Sequence, residues 1–355
     1  CACWSNPNPD PCLSCMIRLS DHIAAAGGWL SLEAFMQLAL HHPQEGYYSS
    51  SIENIGQRGD FSTTPTLSPI LAKAIVAHWK EACSRCGRRL PLLEIGAGSG
   101  ALAVKILERL GFWNRLNTDY VIVESSPRLR EFQHLLLGGR AKIYSTMEKA
   151  LKHCGGKAFI FSNELVDAFP ARVFEYTEQD WKEVGLVVKN GAVREELRPV
   201  RQQPLFSHML EYGSQPGQRV EIHDSYARWF TSWLPLWNMG VMTVIDYGDE
   251  MERLYYRRPR GSLRGYKSHQ VLTGEELYRN PGLTDLTCDV NFTDLLELSR
   301  NCLEDRVTFM TQRDYLLPHA ENTPQDAFLT DEYGAGGHFH VLIQERQRLQ
   351  PEGTQ

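Results

Sequence analysis

A glycine-rich segment that directly follows a short apolar run constrains the fold more than any other feature of the sequence. Residues 92–103 read LLEIGAGSGALA, with glycines at positions 96, 98 and 100. Glycine adopts backbone conformations that other residues avoid, and a helix that begins after such a turn points its first amides at a neighbouring ligand. The segment therefore predicts a buried strand, a ligand-binding loop and a helix over 102–110.

Three further apolar runs, YVIVE, AFIFS and VMTVI, lie farther along the chain. Each is short enough for a strand that is buried on both faces of a parallel sheet, and helical segments separate them. This alternation predicts a doubly wound, Rossmann-like α/β core. Near the C-terminus, VTFMTQ and HFHVLIQE have no long helix between them. Two such strands predict an antiparallel C-terminal strand at the edge of the sheet.

The remaining segments predict additions to this core. Apolar positions interrupted at Gly27-Gly28 indicate two short helices, and a longer helix is predicted over 67–83. WKEVGLVVKNGAVREEL predicts a β-hairpin that turns at Asn190-Gly191. The uncharged stretch 229–245 predicts a buried helix that ends near Gly240, followed by a strand. The predicted organisation is a leader at 1–16, a helical region at 17–89, an α/β domain at 90–345 with inserted hairpin and lid segments at 171–239 and 250–292, and a tail at 346–355.

Composition narrows the class of protein. The chain has 355 residues, of which 42% are hydrophobic and 23% charged, as in soluble globular proteins. Its formal net charge of −6 argues against a general nucleic-acid or membrane-surface binder, although the arginines of 253–264 form a local basic patch. No uncharged stretch is long enough to span a bilayer, so membrane insertion is not expected.

Cysteine usage bears on compartment and metal binding. Nine cysteines are scattered through the chain, which favours a reducing compartment, and we expect a cytoplasmic location. A transit segment upstream of Cys1 would instead indicate the mitochondrial matrix. Four thiolates near the start of the chain have the spacing of zinc ligands, but a leader without metal is the favoured interpretation. These residues are Cys1, Cys3, Cys12 and Cys15.

Two ligand classes use a glycine loop of this kind. The dinucleotide fingerprint G-x-G-x-x-G would place its third glycine at position 101, where the chain has Ala101. The spacing is instead E-x-G-x-G-x-G, with Glu94 on the strand, and it resembles the cofactor loop of class I S-adenosylmethionine-dependent methyltransferases. Glu124, at the end of YVIVE, can accept both ribose hydroxyls in either class. A nicotinamide-dependent oxidoreductase therefore stays open as an alternative.

Polar residues follow AFIFS at the carboxyl end of its strand, where ligands bind in open α/β sheets. Asn163, Glu164 and Asp167 lie within SNELVDAFP. An amide and two carboxylates can hydrogen-bond an acceptor nitrogen that is rich in donors. Capping of the following helix by Asn163 and Glu164 is the structural alternative, and it is compatible with the functional interpretation.

The chain contains, in order, GGWLSLEAFMQLALHHPQEGYY, IGQRGDFSTTPTLSP, LLEIGAGSGALA, VESSPRLREFQ, SNELVDAFPARVFE, IDYGDE, LRGYKSH and PGLTDLTCDVNFTDL. These segments resemble the MidA family of S-adenosylmethionine-dependent methyltransferases over roughly residues 17–345. The resemblance implies a class I methyltransferase sheet and S-adenosylmethionine as the cofactor. Mitochondrial members of that family assist assembly of respiratory complex I and methylate an arginine of one of its subunits, which implies a protein arginine as the acceptor.

The resemblance also implies roles for individual residues. The residues expected to bind the cofactor are Glu94, Gly96, Ala97, Gly98, Gly100, Glu124 and Ser125. The expected catalytic residues are Asn163, Glu164, Asp167 and, at the mouth of the pocket, Asp60. The residues expected to form a lid or acceptor wall are Asp246, Tyr247, Arg264 and His269. No metal is implied. His338 and His340 are interpreted as edge-strand residues, and Asp285 and Asp289 as residues that hold an insertion to the core.

One departure from the family concerns activity. Relatives usually carry glutamate at the position where this chain has Thr66. A non-catalytic assembly protein that binds the cofactor is therefore a second alternative. The expected partner is a protein that bears the arginine, such as a respiratory-complex subunit, and no nucleic acid is expected. Exposed apolar residues of the hairpin insertion would allow a homodimer.

Overall fold

The computed structural model describes residues 17–51, 68–267, 270–303, 306–321 and 323–347. Its strands, in chain order, are β1 Leu30–Ser31, β2 Leu92–Ile95, β3 Tyr120–Val123, β4 Lys142–Tyr144, β5 Lys157–Asn163, β6 Arg172–Tyr176, β7 Trp181–Lys189, β8 Ala192–Pro199, β9 Arg219–Ile222, β10 Met239–Asp249, β11 Arg264–Lys267, β12 Gln270–Leu272, β13 Asp285–Thr287, β14 Val290–Asn291, β15 Val307–Thr311 and β16 Phe339–Gln347. Its α-helices are α1 Leu19–Ala25, α2 Leu32–His41, α3 Ile70–Arg85, α4 Ala101–Arg109, α5 Gly111–Leu116, α6 Pro127–Leu137, α7 Met147–His153, α8 Asp224–Trp233, α9 Met251–Arg257, α10 Phe292–Cys302, α11 Gln312–Leu316, α12 Pro324–Leu329 and α13 Ala335–His338. A π-helical turn covers Tyr47–Ser51, and 3-10 turns cover Val166–Ala168, Met209–Glu211, Leu234–Leu236, Gly274–Tyr278 and Leu317–His319.

The central sheet has the strand order β15-β16-β10-β5-β2-β3-β4. From β4 to β10 the neighbours are parallel, whereas β16 runs antiparallel to both β10 and β15. β2 and β3 are buried along their whole length, as expected for strands covered on both faces. The structure confirms the mostly parallel sheet and the antiparallel C-terminal strand. That strand lies one position in from the edge, because β15 pairs with its outer side.

Helices cover both faces of this sheet, and alternate residues of β5 point to the two faces. Phe159 and Phe161 join the core beneath α3 and α4, together with Trp79. Ile160 joins the core on the other face, where α8 contributes Trp233. Burial of one large apolar side chain contributes about 1.5–3 kcal/mol, so these two layers hold the strand ends in fixed positions.

A second sheet combines the N-terminal region with the first insertion. Its strand order is β1-β7-β6-β9, and β8 also pairs with β7. β7 and β8 form the predicted hairpin, and Asn190 (φ 52°) and Gly191 (φ 75°) supply the two left-handed residues that a type I′ turn needs. Leu30 of β1 pairs with Leu186 of β7. Two segments that are distant in sequence therefore fold as one unit.

The second insertion forms a small sheet with the order β12-β11-β13. The chain continues from β13 into β14, which pairs in parallel with the end of β10 at Gly248. The backbone N–H of Cys288 donates to the carbonyl of Asp167 at 3.0 Å. These contacts bring β13 to the carboxyl ends of the central strands.

Two helices begin or end at other residues than the sequence predicted. The helix expected to reach Gly240 ends at Trp233, and β10 begins at Met239. Pro235 lies in the 3-10 turn Leu234–Leu236 between them. A longer helix is disfavoured because the proline ring fixes φ and removes an N–H donor. The helix expected over 67–83 begins at Ile70 and ends at Arg85.

Within the described ranges, no helix is long and apolar enough to cross a bilayer. The same residues contain no group of three or more His, Cys, Asp and Glu side chains placed to hold a metal ion. The four cysteines considered for zinc, Cys1, Cys3, Cys12 and Cys15, lie outside those ranges. The two C-terminal histidines are not edge-strand neighbours. His338 ends helix α13, whereas His340 lies buried in β16 and stacks on Phe309.

Substitution of Gly240 tests the contact between β10 and β5. Gly240 has φ 136°, and a Cβ atom there would lie 1.9 Å from the carbonyl oxygen of Ala158. We expect Gly240→Ala to lower the free energy of unfolding by about 3 kcal/mol, measured by urea denaturation. The control is Gly139→Ala, because Gly139 has φ 79° but open space around it. Equal losses in the two variants would contradict the packing argument.

Candidate active site

A cavity of about 1470 Å³ lies at the carboxyl ends of the central strands. Its walls come from the ends of β2, β3, β5 and β10, from the N-terminal region and from the second insertion. Ligands bind at this edge in open α/β sheets. Typical ligand pockets measure about 300–1000 Å³, so this one can hold a nucleoside-sized cofactor together with an acceptor side chain.

The glycine loop forms one wall of the cavity. Gly96, Ala97 and Gly98 line it. Gly96 has φ 67°, and a Cβ atom there would lie 2.7 Å from Leu165 Cδ1, so glycine lets the loop pass close to the next turn. Gly98 has φ 50° and open space beside its Cα. Gly100, with φ 73°, is the N-cap of α4 and packs against α6, so it shapes the turn from outside the cavity lining.

Glu94 lies on β2 just before this loop. It lines the cavity although its side chain is nearly buried. Tyr120 donates its hydroxyl to Glu94 Oε2 at 2.6 Å. Burial disfavours the charged carboxylate and raises the pKa of Glu94 to about 7, against the opposing effect of the Tyr120 hydrogen bond. A positive charge in the cavity would favour the ionised form of Glu94.

Glu124 follows β3, and its carboxylate is held from two directions. Its Oε1 accepts the backbone N–H of Ser126 at 2.9 Å, and its Oε2 accepts Nε2 of Gln133 at 3.4 Å. The same Gln133 amide donates to the carbonyl of Gly98 at 2.9 Å, which ties Glu124 to the glycine loop. Burial raises the pKa of Glu124. Ser125 lines the cavity beside it.

The turn after β5 forms a second part of the cavity wall, next to the glycine loop. Asn163, Glu164 and Asp167 line the cavity. Glu164 has φ 53°, a left-handed conformation that is rare for a residue with a side chain. Its Oε1 accepts Nδ2 of Asn163 at 3.0 Å. The 3-10 turn Val166–Ala168 follows with Leu165 at its N-cap and without a side-chain cap, so the structural alternative, capping by Asn163 and Glu164, does not occur at this turn.

Asp246 fixes this turn from behind. Its side chain is fully buried, and its Oδ2 accepts three backbone N–H groups, those of Leu165 (3.1 Å), Val166 (2.8 Å) and Asp167 (3.4 Å). Asp246 was expected to reach the cavity, but it does not line it. The reason is that β10 continues to Asp249, which places Asp246 inside the strand instead of at its end.

A chain of polar contacts joins this turn to the second insertion. Tyr247 donates its hydroxyl to Asp167 Oδ2, and the Arg264 guanidinium lies over the Tyr247 ring at 4.9 Å. Arg264 in turn donates to Asp289 Oδ1. Burial raises the pKa of Asp167 to about 6. All four side chains line the cavity. The structure therefore places Tyr247 and Arg264, two of the four residues expected in a lid or acceptor wall, beside Asp167. It adds Asp289, which was expected only to hold an insertion to the core.

Tyr48 is a cavity residue that the sequence interpretation missed. Its carbonyl accepts the Ser126 hydroxyl at 2.7 Å, and its own hydroxyl donates to Asp285 Oδ1 at 3.0 Å. Tyr48 therefore joins the Glu124 side of the cavity to β13. Its partners lie 78 and 237 positions away along the chain, so no local pattern could have indicated these contacts.

Other lining residues were also not expected from the sequence. They include Gln37, His41, Thr146, Glu148, Trp229, Arg257, Arg258, Tyr266 and Thr287. Three positions considered earlier, Asp60, Thr66 and His269, lie outside the described residues.

Comparisons with known proteins agree on one chemistry. The sequence model of a family of S-adenosyl-L-methionine-dependent methyltransferases matches residues 70–309. Two similar curated proteins are both named protein arginine methyltransferase NDUFAF7, mitochondrial. The Xenopus tropicalis protein is 26% identical over 81% of this chain and 71% of its own length. The Danio rerio protein is 27% identical over 85% and 76%.

A solved structure adds the ligand. The crystal structure of a protein from Burkholderia thailandensis, described as a methyl transferase and bound to S-adenosyl-homocysteine, superimposes on this chain with a TM-score of 0.81 and 25% sequence identity. The match covers 96% of this chain and 95% of that chain.

The raised pKa of Glu94 predicts a pH-dependent stability. The folded protein holds this proton up to about pH 7, whereas the unfolded chain releases it near pH 4.5. Stability from the protonated form is therefore present below pH 4.5 and lost as the pH rises through about 7. In the ligand-free protein, we expect Glu94→Gln to raise the free energy of unfolding by about 2 kcal/mol more at pH 8 than at pH 5.

Urea titrations at the two pH values measure this difference. Glu108→Gln is the control, because Glu108 is exposed on α4 and its substitution should have nearly the same effect at both values. A pH-independent effect of Glu94→Gln would contradict the assignment.

The Tyr48 hydroxyl predicts a coupling to Asp285. We expect Tyr48→Phe to lower the free energy of unfolding by about 1–2 kcal/mol, since it removes the hydrogen bond that Tyr48 donates to the Asp285 carboxylate. Binding of S-adenosyl-homocysteine should change by less than about threefold, because the Tyr48 carbonyl still accepts from Ser126. The double variant with Asp285→Ala should be non-additive by about 1 kcal/mol in urea denaturation. Additive losses would show that the two side chains act independently.

Proposed function

The chain belongs to the family of S-adenosyl-L-methionine-dependent methyltransferases, and we propose that it transfers the methyl group to an arginine side chain of a protein. Membership of this family confirms the predicted enzyme class, the family resemblance and the cofactor. It also argues against the nicotinamide-dependent alternative, which depended on the features that the two loop types share.

The observation that carries the arginine proposal is a set of buried oxygens on one wall of the cavity. Among the described residues, Asn163 Oδ1, Asp167 Oδ1 and Thr287 Oγ1 are buried without a hydrogen-bond partner. All three side chains line the cavity. A buried polar atom that stays unpaired costs about 1–3 kcal/mol. A guanidinium carries five N–H donors in a rigid fork, so a bound arginine side chain would satisfy several of these oxygens together.

The charge of this wall supports the same acceptor. The carboxylates that line it are Glu164, Asp167, Asp285 and Asp289. Arg264 pairs with Asp289. Glu164, Asp167 and Asp285 bring three further carboxylates to the wall that a cationic side chain would meet. Carboxylates bind a guanidinium through charge-assisted and often bidentate hydrogen bonds. The name shared by the two curated relatives, protein arginine methyltransferase, agrees with this acceptor.

We assign the wall formed by the glycine loop, Glu94 and Glu124 to the cofactor, which supplies a methyl group carried on a sulfonium. The open space beside Gly98 leaves room for a ligand close to the backbone. The Glu124 carboxylate, held at the end of β3 by Ser126 and Gln133, suits a pair of ribose hydroxyls. Glu94, whose ionised form a positive charge would favour, suits the cationic part of the cofactor.

Glu164 and Asp167 have two tasks in this proposal. A protonated guanidinium is a poor nucleophile, so the enzyme must orient one nitrogen toward the methyl group, at about 3 Å, and take up the proton it loses. Glu164, held by its contact with Asn163, orients the guanidinium. Asp167 accepts the proton at Oδ1, because Tyr247 already occupies Oδ2 and a pKa of about 6 lies close to neutral pH.

The proposal extends to the setting of the reaction. The curated relatives are named as mitochondrial proteins, which favours the mitochondrial matrix over the expected cytoplasmic location. The resemblance to mitochondrial MidA members adds a respiratory-complex subunit as the acceptor. Methyl-label proteomics tests the acceptor, since lysate from a strain that lacks this chain should gain labelled methylarginine on a defined protein when the purified enzyme is added. Label on lysine, or on no protein, would contradict the proposal.

The role of Glu164 predicts a separation of binding from turnover. We expect Glu164→Gln to change the affinity for S-adenosyl-homocysteine by less than about fourfold and to lower turnover by about 100-fold or more. Calorimetry and labelled-methyl transfer measure the two quantities. Glu131→Gln, an exposed position on α6, is the matched control and should change neither. Unchanged turnover in Glu164→Gln would remove Glu164 from this role.

A further inference from the structure

Two adjacent arginines stand at the cavity on the acceptor side. Arg257 and Arg258 close helix α9, which follows β10, and both side chains line the cavity. Their side chains are 41% and 51% exposed, so about half of each lies at the protein surface. We call these two residues the arginine rim.

The arginine rim is held in place by acidic residues of the core. Arg257 pairs with Asp249 at 2.7 Å, and Arg258 pairs with Asp289 at 3.2 Å. Asp249 and Asp289 are themselves buried. Each ion pair uses one N–H donor at the edge of a guanidinium that carries five. Other donors are therefore available to a ligand at the surface. The rim is therefore an oriented cationic surface.

The surrounding sequence is basic in a chain that is acidic as a whole. Residues 249–264 contain five arginines and three acidic residues, whereas the whole chain carries a net charge of −6. Tyr256, next to the rim, is 88% exposed. The patch follows β10 directly, and its two rim arginines line the same cavity as Glu164 and Asp167.

The positive charge of the arginine rim does not favour the approach of a guanidinium by itself. A cationic entrance repels a cationic side chain, and the repulsion is strongest at low ionic strength. The inner wall, with Glu164 and Asp167, has the opposite sign. A ligand that fits both surfaces has a cationic tip and anionic groups next to it.

We propose that the arginine rim binds acidic residues that flank the target arginine in the acceptor protein. This inference rests on the proposed arginine methyltransferase function and specifies its substrate. The acidic flanks pair with Arg257 and Arg258, while the target side chain reaches the inner wall. Complementary charge at the rim of an interface selects partners and speeds their association. Acceptors with lysine or arginine at the flanking positions are rejected by like charge.

Three fluorescent peptides test this proposal with the full chain saturated with S-adenosyl-homocysteine. Each has one arginine, and the two residues on either side are glutamate, glutamine or lysine. Fluorescence anisotropy measures binding to this complex. Labelled-methyl transfer from S-adenosyl-methionine, in separate reactions without S-adenosyl-homocysteine, measures turnover. We expect the glutamate peptide to bind about tenfold more tightly than the glutamine peptide at low salt, and this preference to fall towards unity in 0.5 M salt.

Variants assign the preference to the arginine rim. Arg257→Gln/Arg258→Gln should remove it, while Arg257→Lys/Arg258→Lys, which keeps both charges, should retain most of it. The matched control is Arg253→Gln, since Arg253 is an exposed arginine of the same helix outside the cavity lining, and its loss should leave the preference intact. Thermal unfolding of each variant checks that it is folded.

The outcomes separate the two proposals. Selective binding of the glutamate peptide without methyl transfer to any peptide would retain the arginine rim and count against the proposed function. Methylation of all three peptides at equal efficiency would contradict the proposal for the arginine rim and support the proposed function. The rim proposal also fails if the Arg253 variant loses the preference as fully as the rim variant, or if an RNA oligonucleotide competes better than the glutamate peptide.

Discussion

One buried carboxylate, that of Asp246, holds the backbone of the turn after β5, which lines the cavity. It accepts N–H groups from three successive residues, Leu165, Val166 and Asp167, and a fourth from Tyr247. Burial and the neighbouring Asp167 carboxylate raise the pKa of Asp246 well above its ordinary value. Without these acceptors the turn would bury unpaired donors, at a cost of about 1–3 kcal/mol each. The left-handed conformation of Glu164 persists because this turn is held so firmly.

From this turn, two chains of contacts extend across the cavity. Asp167, Tyr247, Arg264 and Asp289 connect it to the second insertion. Tyr48 connects that insertion, through Asp285, to the loop after β3. The turn after β5 and the loop after β3 are therefore joined by one network of contacts, and the N-terminal region is part of it. A large, closed frame of this kind suits an enzyme that must align two ligands, since a small displacement of either would reduce the rate.

The sequence predicted most of what is local. The segment 92–103 indicated its strand, loop and helix, because buried apolar runs and glycine conformations act over a few residues. Asn190-Gly191 indicated its hairpin for the same reason. The prediction that α8 ends near Gly240 was wrong, because Pro235 replaces the end of the helix by a 3-10 turn and β10 already begins at Met239. The sequence also did not predict that β16 lies inside the sheet, since its pairing with β15 on the outer side is a property of the folded chain.

For the functional site, the sequence by itself determined the glycine loop, the carboxylate of Glu124 and the polar residues after β5. Each of these follows a strand whose carboxyl end is predictable, and a common edge then brings them together. The tertiary structure alone decided that Asp246 lies behind the wall and that Tyr48 reaches Asp285. Those contacts join segments that are up to 237 positions apart in the sequence, and they form only when the sheets and insertions pack together. Contacts between such distant residues leave no periodic pattern or short motif in the sequence.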